Sequence, residues 1–217
     1  MHYHLKQLGN EMLNDVTRTF DLPKLVLASG SPRRAEILRS VGWEFEKAIP
    51  DVDESVVEGE APEEYVKRLA AEKAKAVASL FPPGRLILAA DTTVVLGGEI
   101  IGKPVDLADA RKMIERLAGQ VHEVLTGVAV SLDGTEEIGM QSTRVKFEEM
   151  SDAEIDFLVA EGDPLDKAGA YAVQAQAALF IEGIDGDYWN VVGLPINLVY
   201  RLVGMVIKKG RFDVVFK

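Results

Sequence analysis

Two short turn signals, Gly97-Gly98 and Asp133-Gly134, decide what kind of sheet this chain can build. A β-rich run from Arg85 to Leu96 precedes the first, and runs from Val121 to Leu132 and Thr135 to Glu148 flank the second. Such dipeptides supply the left-handed backbone that a tight hairpin needs, and hairpins join antiparallel strands. Elsewhere short β-rich runs alternate with helical patterns: Lys24 to Ser29, then Pro32 to Val41, then Trp43 to Ile49. The alternation calls for an α/β fold, and the hairpins make its sheet mixed instead of purely parallel.

Further helices are expected from about Pro62 to Leu80, Leu107 to Ala118, Asp152 to Ala160 and Pro195 to Lys208. Ser31 followed by Pro32 is an N-cap and first-turn pair, which sets Arg33 and Arg34 in the opening turn of the first helix. Ser151 with Glu154 makes a capping box for the fourth. The segment before Phe20 reads as an extra arm or a short helix, and the chain has no internal repeat. With 217 residues, 47% of them hydrophobic, one folded unit is expected, built on one core or on two lobes flanking a cleft.

A formal net charge of -11 repels polyphosphate and nucleic acid at long range, so a phosphate site must be a local basic pocket. A nucleic-acid-binding module is disfavoured for the same reason and for want of a basic stripe with interleaved aromatics. There is no cysteine, and the three histidines, His2, His4 and His122, do not make a histidine-rich cage, so a metal would be held by oxygen. No apolar run approaches the roughly 20 residues that span a bilayer, and the opening residues are too polar for a signal peptide. No membrane partner and a cytoplasmic location are expected.

Several polar residues stand where apolar ones belong. Asp91, Thr92 and Thr93 interrupt what otherwise reads as a buried strand, and an ionised Asp there must be paired, hydrogen-bonded or metal-bound unless it lies at an exposed strand end. In the second helix Val66, Leu69, Ala70, Val77 and Leu80 define an apolar stripe that includes Lys73, a lysine that either meets an anion or snorkels out to water. The stretch Gly97 to Pro104 nearly spells a P-loop, but Pro104 occupies the hydroxyl position and the glycines form a hairpin turn. Lys103 remains as a cation on a short loop, aimed at a ligand or simply solvated. Ser29-Gly-Ser-Pro-Arg-Arg34 places a turn, a helix N-terminus and two guanidinium groups together after a strand, an arrangement suited to an anion. Val52-Asp53-Glu54, Asp166-Lys167 and Asp185-Gly-Asp187 carry less weight alone, since acidic loops are usually surface decoration.

Together Ser29 to Arg34, the Leu69 to Ala74 segment with its lysine, Ala90-Asp-Thr92, Gly102-Lys-Pro104, Thr126-Gly127, Asp166-Lys-Ala-Gly-Ala-Tyr171 and Val192-Gly-Leu-Pro195 resemble the Maf-like family of nucleotide pyrophosphatases, over nearly all of Lys24 to Gly204. The resemblance implies an elongated mixed α/β structure with two lobes around a central cleft, related to the inosine triphosphate pyrophosphatases. Residues 1–22 are then an N-terminal extension and 23–217 a single domain. It implies Asp91 as the catalytic carboxylate and Glu54, Lys73, Lys103 and Arg34 lining the cleft; the mechanism expected from these residues has Asp91 with Glu54 hold a divalent Mg²⁺ or Mn²⁺ ion and Ser29, Arg34, Lys73 and Lys103 meet the phosphates. Arg33, Thr92 and Gln174 match positions associated with choosing the base. Gln174 points to the branch that hydrolyses dTTP and UTP, with the branch preferring 7-methyl-GTP as the alternative. Ala172 and Ala175 stand where that branch often has glycine, so the loop presenting Gln174 is expected to differ in geometry.

On this resemblance water attacks the α-phosphorus of a nucleoside triphosphate and pyrophosphate departs, with Asp91 acting as base or as metal ligand. A homodimer is an open possibility, with the arm before Phe20 one place for the contact. Two rival readings remain: a nucleotide-sensing regulator of cell division without turnover, and a phosphomonoesterase releasing orthophosphate.

Overall fold

The computed structural model describes residues 22–215. The extension expected over residues 1–22 therefore lies, apart from Leu22, outside the described residues. Seven strands form one mixed sheet: β1 (Leu25–Ala28), β2 (Phe45–Ala48), β3 (Leu86–Leu96), β4 (Glu99–Ile101), β5 (Val121–Leu132), β6 (Thr135–Phe147) and β7 (Ile181–Asp185). Their order is β2-β1-β3-β5-β6-β7, with β4 on β3. β2, β1 and β3 run parallel, and every other pairing is antiparallel. Both expected hairpins are present, and the backbone explains their residues: Gly97, Gly98, Asp133 and Gly134 have φ of 61°, 86°, 49° and 86°.

The site is prepared by how β3 is used. β5 occupies one edge of it from Ile87 to Val95, so β1 and β4 must share the other. β1 pairs only with Leu86 to Ala89, and β4 only with Val94 to Leu96. Ala90 to Thr93 are left without a strand on that edge, and the sheet opens there into a notch.

Alternation along β3 then sends neighbouring side chains to opposite faces. On one face Ile87 and Ala89 pack with Val26 and Ala28 of β1 under α2 (Pro62–Ala78), and Asp91 continues that row. On the other, Leu86, Leu88 and Ala90 pack against α1 (Pro32–Ser40) and the C-terminal helix, and Thr92 continues that one. A second core lies beyond the notch, where Ile114 and Leu117 of α3 (Leu107–Leu117) and Leu158 of α4 (Asp152–Glu161) cover the far ends of the long strands around Phe147 of β6. The expected two lobes are thus two cores strung on the same long strands β3, β5 and β6.

Caps and stripes behave as their residues dictate. Ser31 caps α1 by accepting from the Arg34 N–H, and the Ser151/Glu154 capping box opens α4. The α2 stripe is buried through Val66, Leu69, Ala70, Lys73, Ala74 and Val77. Leu80 departs from it: the helix stops at Ala78 and Leu80 is 70% exposed. β7, the short helix α5 (Tyr188–Val192) and the 3₁₀ turns between Pro164 and Leu179 were not expected, and the final helix α6 (Ile196–Val215) runs past Lys208. Among the described residues no helix is long and apolar enough to cross a membrane.

Candidate active site

The nine residues expected to catalyse, hold a metal, bind phosphate or choose the base line one cleft of about 350 Å³ at the notch in β3, whereas Thr93, Asp53, Asp185 and Asp187 do not. On its α2 side the charges are paired. The Lys73 ammonium, 6% exposed, donates to Asp91 Oδ1 at 2.5 Å and lies 2.6 Å from Glu54 Oε1. Lys103 approaches Glu54 Oε2 at 3.4 Å from the Gly102-Pro104 loop. A buried ammonium needs at least one carboxylate beside it, and the two here hold each other close through the shared lysine. Burial alone would raise the pKa of Glu54, but Lys73 and Lys103 hold its carboxyl below the ordinary value.

Two features put Lys73 within reach. Glu54 sits on a loop pinned to α2 by the Tyr65 hydroxyl, which donates to the Glu54 carbonyl at 3.0 Å, and by Arg68, which donates to the Ser55 carbonyl at 3.1 Å. Gly127 faces Asp91 across the β3–β5 ladder, and a Cβ there would stand 2.1 Å from the Val66 carbonyl oxygen. Only hydrogen at Gly127 lets α2 lie flat on the sheet. Lys73 is two turns further along that helix and comes down on Asp91.

The opposite wall is built around Arg34, which has no carboxylate partner among the described residues. Arg34 Nε donates to the Gly193 carbonyl at 2.8 Å, Nη1 to Ser29 Oγ at 3.2 Å and Nη2 to Thr92 Oγ1 at 3.1 Å. A guanidinium has five N–H donors, so two remain for a ligand. Loss of solvent lowers the Arg34 pKa from its ordinary value, with Asp91 across the cleft acting against that shift. Ser29 Oγ also accepts the Ser31 N–H at 3.1 Å, which fills its acceptor capacity and leaves its own proton to donate.

At the mouth Arg33 donates to Asp166 Oδ2 at 3.0 Å, while Lys167 binds Asp166 Oδ1 at 2.6 Å. Burial would raise the pKa of Asp166, but these two cations keep it below the usual value. Gln174 is exposed on the same loop. The alanines beside it need no glycine: Ala175 has φ -122°, and Ala172 is not among the positive-φ residues. The left-handed strain falls instead on Ala170, at φ 63° next to Gly169 at 68°. Beneath this loop Tyr171 stacks edge-on with His122 and Phe147, and its hydroxyl lies 2.8 Å from His122 Nε2.

Thr92 lies deeper than the other residues matched to base choice. Its hydroxyl is occupied by Arg34 and by Thr126, at 2.9 Å. The residues holding these groups in place are Tyr65 and Asn190, which the sequence reading passed over, and Thr126 and Gly193, which it quoted as part of the resemblance without giving them a role. Asp91 and Glu54, which share one ammonium, also meet the requirement of a small hard cation, which takes one or two carboxylates and completes its shell with phosphate oxygens and water. Among the described residues no cluster of three or more acidic or histidine side chains offers a fuller cage.

A model of the family described as Maf-like protein matches residues 24–206. The chain is 48% identical over 182 residues to a dTTP/UTP pyrophosphatase of Symbiobacterium thermophilum, covering 84% of this chain and 93% of that protein. It is 52% identical over 178 residues to a dTTP/UTP pyrophosphatase of Anaeromyxobacter dehalogenans, covering 80% and 89%. Among solved structures it is similar to the Staphylococcus aureus Ham1 protein, with a TM-score of 0.42 and 18% identity over 58% of this chain and 72% of that one.

Proposed function

Since this chain belongs to the Maf-like protein family, we propose that it is a nucleoside triphosphate pyrophosphatase that hydrolyses dTTP and UTP to the monophosphate and pyrophosphate. The observation that carries the reading is the division of charge across the cleft: a guanidinium whose partners among the described residues are all neutral on one wall, and a carboxylate pair on the other. A triphosphate supplies the anion that the first wall lacks, and its α-phosphorus comes to rest against the second. The choice of pyrimidine substrates follows relatives at about half identity that carry that activity in their names.

In the proposed reaction a water oxygen attacks the α-phosphorus, the bond from that phosphorus to the bridging oxygen breaks, and pyrophosphate leaves with the negative charge. Asp91 orients the water and takes up its proton; among the described residues Lys73 occupies its Oδ1 and nothing donates to its Oδ2. Arg34, Ser29 and the third N–H of Lys73 donate to phosphate oxygens, and Lys103 reaches them from the exposed side. A Mg²⁺ or Mn²⁺ ion held by Asp91 and Glu54 would offset the remaining phosphate charge. Arg33 and Gln174 read the base at the mouth, and an amide suits a pyrimidine because it both donates and accepts.

The test is product analysis with Mg²⁺ or Mn²⁺ against dTTP, UTP, CTP and 7-methyl-GTP, with pyrophosphate and orthophosphate assayed separately. Pyrophosphate from dTTP and UTP is expected. Pyrophosphate from 7-methyl-GTP alone would overturn the assignment of the base, and orthophosphate or no turnover would overturn the reaction.

A further inference from the structure

Behind Arg34 runs a line of hydroxyl groups with no solvent around its far end. Thr92 and Thr126 face each other across the β3–β5 ladder, with their Oγ1 atoms 2.9 Å apart. Thr126 is 0% exposed, and its hydroxyl lies 3.1 Å from the Asn190 carbonyl. That carbonyl is itself fixed, because the Asn190 side chain donates to the Val124 carbonyl at 2.8 Å and to Thr143 Oγ1 at 3.0 Å.

The ends of the line determine its direction. A guanidinium can only donate and a carbonyl can only accept, so Thr92 receives Arg34 Nη2–H and Thr126 gives its proton to Asn190. Thr92 could instead donate to the Gly193 carbonyl, but that contact is 3.4 Å, against 2.9 Å to Thr126, and the same carbonyl already accepts Arg34 Nε–H at 2.8 Å. If Thr126 donated to Thr92, the Asn190 carbonyl would lose its hydroxyl donor. One arrangement satisfies every group: Arg34 to Thr92, Thr92 to Thr126, Thr126 to Asn190.

We propose that Thr126 is a positioning residue for phosphate binding, acting through Thr92 to hold the Arg34 guanidinium with its two remaining N–H groups toward the cleft. The proposal rests on the reading of Arg34 as a phosphate ligand. Neutral partners suit this task, since a carboxylate in the same place would fix Arg34 equally well but cancel the charge that attracts the anion. Without the Thr126 hydroxyl, Thr92 is free to turn to Gly193, where it competes with Arg34 Nε–H. Two of the three anchors of the guanidinium, the Thr92 hydroxyl and the Gly193 carbonyl, are then less firmly held.

The experiment compares Thr126→Val, Thr126→Ala and Thr126→Ser, each alone and combined with Arg34→Ala. Calorimetric titration with inorganic tripolyphosphate in metal-free buffer reads anion affinity without turnover, and KM and kcat for dTTP are measured alongside. Thr126→Val is expected to fold, because the Asn190 carbonyl keeps the Gly193 N–H at 3.0 Å. Whichever of the Val and Ala variants melts near the wild-type temperature carries the comparison. Its affinity should fall about tenfold, Thr126→Ser should restore it to within about twofold, and neither change should weaken binding further once Arg34 is Ala. Unchanged affinity in the Val and Ala variants, or an equal loss with and without Arg34, overturns the proposal. A wild-type protein that binds tripolyphosphate in this pattern yet releases no pyrophosphate from dTTP would sink the proposed function and leave the relay standing. Normal turnover without the pattern would do the reverse.

Discussion

The two walls of the cleft use cations in opposite ways. Lys73 is neutralised twice over, by Asp91 at 2.5 Å and Glu54 at 2.6 Å, whereas Arg34 is held at three points by hydroxyls and a carbonyl that leave its charge intact. The difference separates two jobs that a phosphate site must perform. An uncompensated guanidinium creates a standing demand for an anion. A lysine shared by two carboxylates fixes those carboxylates in place and close together, ready for a water or a hard cation. Catalysis should therefore depend mostly on the paired wall and affinity mostly on the unpaired one.

The hardest test of that division is Asp91→Asn. It removes the proposed base and half of the carboxylate pair while keeping the shape, and kcat for dTTP should fall about a thousandfold. Tripolyphosphate affinity, read by calorimetry, should stay within about threefold, because the Arg34 wall is untouched. Near-normal turnover would remove Asp91 from the mechanism, and lost affinity would mean that the walls are not separable.

Gly127→Ala attacks the same wall without touching a charged group. The new Cβ cannot coexist with a carbonyl oxygen at 2.1 Å, so α2 must lift and carry Lys73 away from Asp91. Overpacking of this kind costs about 2 kcal/mol of stability, and a displacement near 1 Å at a reacting group costs about a hundredfold in kcat. Denaturant melts and dTTP kinetics on one preparation read both. A stable, fully active Gly127→Ala protein would mean that α2 is not seated by this glycine. Arg34→Lys is the milder counterpart on the other wall. It keeps the charge but gives up the fork, so KM should rise about tenfold while kcat changes less.

How far the two walls could be read from the sequence follows from what each depends on. Lys73 declared itself because a helical period of 3.6 puts it among Val66, Ala70 and Val77, and Asp91 because it breaks a buried run; both are local anomalies. The hairpins were legible for the same reason, since the backbone sign that they need restricts residue choice. Thr126 is different. A threonine in a strand is ordinary, and its part in holding Arg34 exists only because register sets it opposite Thr92 and because α5 brings the Asn190 carbonyl to it. α5 itself, at five residues, is too short to show a period, and β7 is a short strand with only Ile181 and Ile184 turned inward. Leu80 shows the converse error: it has the right spacing for the α2 stripe but comes after the helix has ended.

A third region, the aromatic cluster under the mouth loop, should respond to pH in stability and leave both walls alone. Burial pushes the His122 pKa down to about 4, so its ring is neutral in the folded protein under ordinary conditions. The unfolded chain takes up a proton near pH 6.5 that the folded chain refuses until about 4. Between those values the unfolded state binds more protons, and stability must fall as pH falls. From pH 6.5 to pH 5 the loss should be about 2 kcal/mol. Carboxylates held below their ordinary values, such as Glu54 and Asp166, add their own loss only further into acid, and Glu136, raised by burial, acts in the opposite direction, so the histidine's share is the part of the slope that its replacement removes. Urea titrations across the window should show the slope in the wild type and a flatter one in His122→Gln, which keeps a polar partner for Tyr171 but does not titrate. An equal slope in both proteins would assign the acid sensitivity to other groups. If the slope vanishes while KM for dTTP changes less than about twofold, the cluster supports the mouth loop without entering the chemistry of either wall.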